Sequence, residues 1–296
     1  RLSFILCAAR KKSTEKTRFA ADTAPLILRG VSPVPNATES FVFIRYTKGV
    51  PGKEPAQSKG KGSDTMITKD MTLADVVKAH PNTIGFLNGL HLDYCCGGHE
   101  AISIAIQQKG MDVEQFLRDL NEAAARKAEQ RDVHADIESF KELRVTDMLD
   151  DLEATHHVTD RRLMAEAEEL LNKILIVHYP HHGEMLTRLH HLYAGLKAEL
   201  EEHFAKEEQL VFPQMRRHPH PDAGTLALIG ELESEHTGAG DVIKEIQKLT
   251  KNFTPPEDAC PTFRRTYVVM EQLFDDIFIH IFKENSIAFP EYAEQA

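Results

Sequence analysis

The chain has 296 residues, room for about two domains at roughly 150 residues each. Hydrophobic residues make up 42% and charged residues 27%, which excludes a fibrous chain or one without a packed core. The 35 Lys and Arg against 46 Asp and Glu leave a net charge of -11, which argues against general binding to nucleic acid or to an anionic membrane.

The charge is unevenly spread. Residues 1–65 hold 12 basic and 5 acidic residues, whereas residues 66–296 hold 23 and 41, and all 16 histidines fall in the acidic part. The first segment carries Pro25, Pro33, Pro35, Pro51, Pro55 and five glycines, and its run KGVPGKEPAQSKGKGSD has almost no apolar content. It reads as a disordered basic leader and linker. Its start, RLSFILCAARKKSTEKTRFAA, is basic and nearly free of acid, as a transit peptide would be, yet lacks an initiator Met and has only a short apolar run. No window approaches the ~18 to 20 apolar residues of a membrane helix, so a soluble protein without a membrane partner is expected. Four cysteines are too few for a disulfide framework in this length, and Cys95 and Cys96 are adjacent, which disfavours a relaxed disulfide. A reducing compartment follows: the cytoplasm, with an organelle as the alternative should the leader be a targeting segment.

Residues 66–128 read as a small helical domain of three or four short helices, with Thr72 and Asp112 as caps and glycine pairs as stops. Gly97 and Gly98 would end a helix and leave Cys95 and Cys96 near its terminus. The stretch ARKAEQRDVHADIESFKEL reads as a charged connector. Four long helical patterns follow, over about 145–177, 183–209, 223–251 and 261–285, with breaks at HYPHHG, FPQMRRHPHPD and TKNFTPPEDAC. Four helices with short connections predict an all-α antiparallel four-helix bundle over 145–294, and the scarcity of alternating patterns makes a β fold improbable. The histidines at 178, 181, 182, 190, 191, 218 and 220 are grouped with the Pro-containing breaks and read as loop residues. Cys260 reads as structural, and Cys7 lies in the leader.

Residues 203–213 read HFAKEEQLVFP and residues 280–290 read HIFKENSIAFP, matching at His, Lys, Glu, Phe and Pro. His203 and Glu207, like His280 and Glu284, stand four apart, so imidazole and carboxylate share one helix face about one turn apart. A single HxxxE is a weak signal because charged helix faces produce it often; two copies in one frame, flanked by apolar residues, are a stronger one. His236 on the third helix and one of the adjacent His156 and His157 on the first complete an inventory of four His and two Glu. That ratio suits two iron or manganese ions with bridging carboxylates. With an oxo or hydroxo bridge as well, each ion would keep an open position for chemistry or a small ligand.

DYCCGG, THH, HFAKEEQLVFP, SEH, TPPEDAC and HIFKENSIAFP together resemble the repair-of-iron-centres family, the hemerythrin-like di-iron proteins that restore iron-sulfur clusters damaged by nitric oxide or peroxide. The resemblance covers about residues 70–290. It implies iron ligands at His157, His203, Glu207, His236, His280 and Glu284, with both glutamates bridging and His156 left as a neighbour. It further implies that Glu199 and Glu235 lie beside the centre and guide iron or protons, and that Cys95 and Cys96 hold or relay iron or sense redox state. The expected activity is donation of iron from a labile di-iron centre, with damaged iron-sulfur proteins as clients, nitric oxide or oxygen as small ligands and a homodimer as the assembly weighed. Two rivals are a hemerythrin-like oxygen or nitric oxide binding or sensing protein and a di-iron nitric oxide reductase. A ferroxidase is less favoured, because the pairs are HxxxE and not the Glu-x-x-His of ferritin-like proteins.

Overall fold

The computed structural model describes residues 66–96, 98–125 and 131–295, so the leader expected over 1–65, with Cys7, lies outside the described residues. Within them the chain is helical, the sole strand-type pairing being one antiparallel bridge between Thr72 and Ala101.

The N-terminal helices are α1 (Leu73–Ala79), α2 (Ile84–Gly89), α3 (Ile102–Gln108) and α4 (Val113–Ala125), with a short 3-10 turn at Pro81–Thr83. Both expected caps are present: Thr72 accepts from the Asp75 amide at 3.0 Å and Asp112 from the Gln115 amide at 2.7 Å. Helices this short are marginal alone. They hold because Leu73, Val76, Val77, Ile84, Leu87, Ile102, Ile106, Phe116 and Leu120 close over one another with almost no exposure.

The expected charged connector instead contains helix α5 (Arg131–Lys141), which buries Ile137 and Phe140. Next come α6 (Val145–Leu152), α7 (Val158–Lys206), α8 (Phe212–Arg217), α9 (Ala223–Leu249), α10 (Pro261–Lys283) and α11 (Phe289–Ala293). The break expected at HYPHHG is not a loop. The residues on both sides of Pro180 are helical, so His178, His181, His182, His190 and His191 are helical residues. Yet α7 folds back on itself. The Tyr193 hydroxyl donates to the Met164 carbonyl 29 residues away at 2.7 Å, where a straight helix would separate them by about 44 Å. Arg161 with Glu201 and His190 with Asn172 bracket the same reversal near Pro180.

The two halves of α7 with α9 and α10 make the antiparallel bundle. Its core rows keep helical spacing: Leu163, Ala167, Leu171 and Ile174; Leu189, Tyr193, Leu196 and Leu200; Ile229, Leu232, Ala239, Ile243 and Ile246; Phe263, Tyr267, Met270, Phe274 and Ile277.

Three π-helical turns interrupt this regularity, at Glu153–His157, Glu207–Val211 and Glu284–Ala288. The repeated strings take the same path twice: α-helix to the lysine, π turn from the glutamate, then a short helix opened by Pro213 or Pro290. Proline supplies no N–H and its ring crowds the carbonyl four residues back, here Gln209 or Ser286, so the turn before it widens.

The N-terminal helices sit against the bundle through the loop 90–101. Tyr94 is fully buried, edge-on to Phe278 and Phe282 at centroid distances of 6.2 and 6.0 Å, and Asp93 pairs with Lys244 at 2.8 Å. The Tyr94 hydroxyl lies towards Asn88 without a well-formed hydrogen bond. Tyr94→Phe is therefore expected to stay within about 1 kcal/mol of the parent or to gain stability, whereas Tyr94→Ala costs about 3–5 kcal/mol. Denaturant unfolding of both variants checks this; equal losses would mean that the hydroxyl, not the ring, carries the contact.

Candidate metal centre

The ligand positions extend the core rows. His203 follows Leu200 by three, His236 lies four after Leu232, and His280 lies three after Ile277. Periodicity alone therefore aims these imidazoles at the bundle axis. His157 closes one π turn, and Glu207 and Glu284 open the other two. All six are buried, His157, Glu207 and Glu284 completely.

Their donor atoms converge in two groups of four: His157, Glu207, His280 and Glu284, and His203, Glu207, His236 and Glu284. Each glutamate belongs to both. Glu207 turns Oε2 to His157 Nε2 and Oε1 to His203 Nε2, both at 3.2 Å, and Glu284 turns Oε2 to His236 at 3.2 Å and Oε1 to His280 at 3.4 Å. His203 and His236 bring their Nε2 atoms within 2.9 Å of each other.

Every one of these imidazoles is fixed from behind through Nδ1. His157 is held by Glu208 at 2.8 Å, His203 by Glu235 at 2.8 Å, His236 by Asn285 at 2.8 Å and His280 by Asp160 at 3.2 Å. With Nδ1–H engaged, the Nε2 lone pair faces inward, as a metal ligand requires. Glu208 is itself gripped by Arg161 at 2.6 Å and Glu235 by Lys206 at 2.8 Å, so the outer carboxylates are anchored and neutralised. Reading the sequence missed Glu208, Asn285 and Asp160. Their signal was adjacency, since Glu208 and Asn285 each follow a site glutamate and Asp160 comes three residues after His157.

His156 is also buried, but its Nδ1 contacts Asp276 at 3.0 Å and its ring stacks on His280 at 5.2 Å, outside both groups. The structure thus brings His157, not His156, together with the others. Glu199 lines a cleft of about 340 Å³ that reaches His203, His236 and His280, with Glu202 and Glu235 on its wall.

No hydrogen-bond partner meets either oxygen of Glu207 or of Glu284, nor Nε2 of His157 or His280. Burying such atoms unpaired is expensive, and buried carboxylates persist where they pair or coordinate metal. This donor set therefore fits a pair of cations. Protons make good the missing charge in the metal-free chain. Burial, reinforced by the charge of Glu284, pushes Glu207 up to about 7. Burial lowers His280, but Glu284 and Asp160 outweigh it and hold this imidazole well above its usual value.

Cys95 and Cys96 are not at a helix end as expected. They sit inside the loop 90–101, where Asp93 caps both backbone amides at 3.1 and 2.9 Å. Gly98 shapes this turn, since a Cβ there would lie 2.4 Å from the Tyr94 carbonyl oxygen. The thiols are free, with Sγ atoms 3.2 Å apart, and with Asp93 they form a third group able to hold a cation. Burial pushes the Cys95 thiol well above its usual value. The loop is linked to the centre by Asn285, which holds His236 and donates to the Cys95 carbonyl at 3.4 Å.

Residues 147–292 match the hemerythrin HHE cation binding domain, and residues 69–124 match a domain of unknown function (DUF542). The bundle is thus similar to the hemerythrin cation-binding domains. The chain is 29% identical over 227 residues to the iron-sulfur cluster repair protein YtfE of Escherichia coli O8 (strain IAI1), covering 76% of this chain and 97% of that protein. The same figures hold for the iron-sulfur cluster repair protein YtfE of Shigella boydii serotype 4 (strain Sb227). The family expected from the motifs is thus upheld, as is the all-α class. Among the described residues no helix is long and apolar enough to cross a membrane.

Metal must displace the proton that Glu207 holds below about pH 7, so cation affinity of the metal-free chain falls as pH drops through 7 and uptake releases protons. Titration of the metal-free chain with ferrous iron in an indicator-dye solution checks this. Proton release at pH 6 should exceed that at pH 8, and equal release at both would contradict it.

Proposed function

We propose that the bundle holds two iron ions, one by His157 and His280 and the other by His203 and His236, with Glu207 and Glu284 bridging them, and that this iron is donated to iron-sulfur clusters damaged by nitrosative or oxidative stress. The observation that carries the reading is the pair of fully buried glutamates whose four oxygens meet no hydrogen-bond donor while each glutamate faces one imidazole of each group. The names of the relatives support the repair role.

Bound iron supplies the cargo for the damaged cluster and is itself redox-active. The chain's own residues set how it leaves. Glu208, Glu235, Asn285 and Asp160 keep the four imidazoles aimed inward, so the pocket keeps its shape when empty. Glu207 takes a proton as the cation departs, its burial placing that exchange near neutral pH. Glu199, Glu202 and Glu235 give the cleft an acidic wall that draws a cation between the centre and solvent. We take the thiols of Cys95 and Cys96, on the loop joined to His236 through Asn285, as its acceptors. We take residues 66–128 as the thiol-bearing unit, 145–294 as the metal-holding unit, and damaged iron-sulfur proteins as the clients. The free thiols Cys95, Cys96 and Cys260 suit the reducing cytoplasm.

Glu207→Gln and Glu284→Gln are expected to lose bound iron and the repair of a peroxide-inactivated cluster enzyme. The metal-free bundle should keep its helicity, since each change removes a buried unpaired carboxylate. Iron per chain, circular dichroism and recovery of the client enzyme give the readouts. Repair retained in both variants would sink the proposal, and reversible oxygen binding without iron loss would favour a gas carrier or sensor instead.

A further inference from the structure

A second set of metal-ligand side chains lies at the far end of the bundle. His178 and His182 are four apart on α7, one turn of one face, and both rings lie edge-on to Phe263, at 5.2 and 6.0 Å. Opposite them, Asp258 and Cys260 are two apart just before α10. His178 Nε2 is 3.2 Å from Cys260 Sγ, and His182 Nε2 is 2.8 and 3.1 Å from the Asp258 oxygens. His178 is buried, while Asp258 is open to solvent, so the cluster has a packed floor and an entrance. His178 is 21 residues from His157 along the chain, about 32 Å of helix, so nothing here is shared with the bundle centre.

We propose that His178, His182, Asp258 and Cys260 form a separate site for one zinc-like divalent cation. Two imidazoles, one thiolate and one carboxylate are a zinc donor set, whereas iron pairs of the kind argued above use imidazole and carboxylate alone. Within each pair the donor spacing agrees: ligands on a tetrahedral ion stand about 3–4 Å apart, given metal–ligand lengths of about 2.0–2.3 Å, and His178 with Cys260 and His182 with Asp258 are near this separation. The two pairs stand further from each other, since no three of the four donors converge as those of the bundle centre do; with the imidazole centroids 6.2 Å apart, against about 5 Å for two rings on one tetrahedral ion, loading must draw the pairs together by at least about 1 Å. The Cys260 thiol gives its proton to solvent as it binds. Such an ion would tie the reversal of α7 to the start of α10, where Cys260 already accepts from the Phe263 amide at 3.5 Å.

The test uses the full chain carrying Glu207→Gln, Glu284→Gln, Cys95→Ser and Cys96→Ser, which removes the bridging carboxylates of the bundle centre and the thiols of the loop, and cobalt(II) as the probe. The expected result is a near-ultraviolet thiolate charge-transfer band that saturates at one equivalent of cobalt and is removed by added zinc. Cys260→Ser in this background should abolish the band and His178→Ala should weaken binding at least about tenfold. Serine caps helices well, so the Cys260→Ser chain should keep its circular dichroism. A band that persists in Cys260→Ser, or no band at all, would overturn the proposal.

Discussion

Two carboxylates enclosed in a helical bundle with no donor to meet them set the terms for the rest of the molecule. Glu207 and Glu284 are completely buried, and their mutual repulsion adds to the cost of desolvation. An apolar core of the same volume would be more stable. The arrangement makes sense where cations neutralise it, and the four imidazoles around the pair give those cations nitrogen ligands on both sides.

The scaffold meets that demand in a regular way. Each site histidine occupies a core position of its helix, so burial and inward aim come from the same periodicity that packs Leu, Ile and Phe above and below. Each is then locked by one Nδ1 partner drawn from another part of the bundle, twice by a carboxylate that a surface cation holds. The π turns serve the same end. Prolines at 213 and 290 forbid a regular helix at the level of Glu207 and Glu284, and the widened turns end one helix row and begin the next at that point. The three π turns thereby lie in the layer that holds the six buried histidines and glutamates.

The thiol loop depends on the centre in its turn. Tyr94 is wedged between Phe278 and Phe282, two residues of the helix that also carries His280, and Asn285 spans from His236 to the Cys95 carbonyl. Packing of the N-terminal helices and orientation of a site imidazole therefore share residues. The backbone that carries the vicinal thiols thus contacts a residue that orients one of the buried imidazoles.

Sequence by itself determined the helical class, the bundle, and the pairing of His203 with Glu207 and of His280 with Glu284 on one helix face, because apolar residues at helical spacing and an HxxxE string repeated with its proline are local patterns. Spacing alone left His156 and His157 open, and only the family resemblance pointed to His157; the structure brings His157, with its Nδ1 on Glu208, to the other imidazoles and carboxylates and keeps His156 outside them. The sequence placed a break at HYPHHG, where α7 does reverse, but read the residues there as loop, whereas they stay helical on both sides of the reversal that Tyr193 and Met164 bracket. The Nδ1 partners, the docking of Tyr94 and the meeting of His178 with Cys260 join residues 32 to 188 positions apart, and only the tertiary structure decides such pairs. No local pattern specifies them, because they follow from how four helices pack.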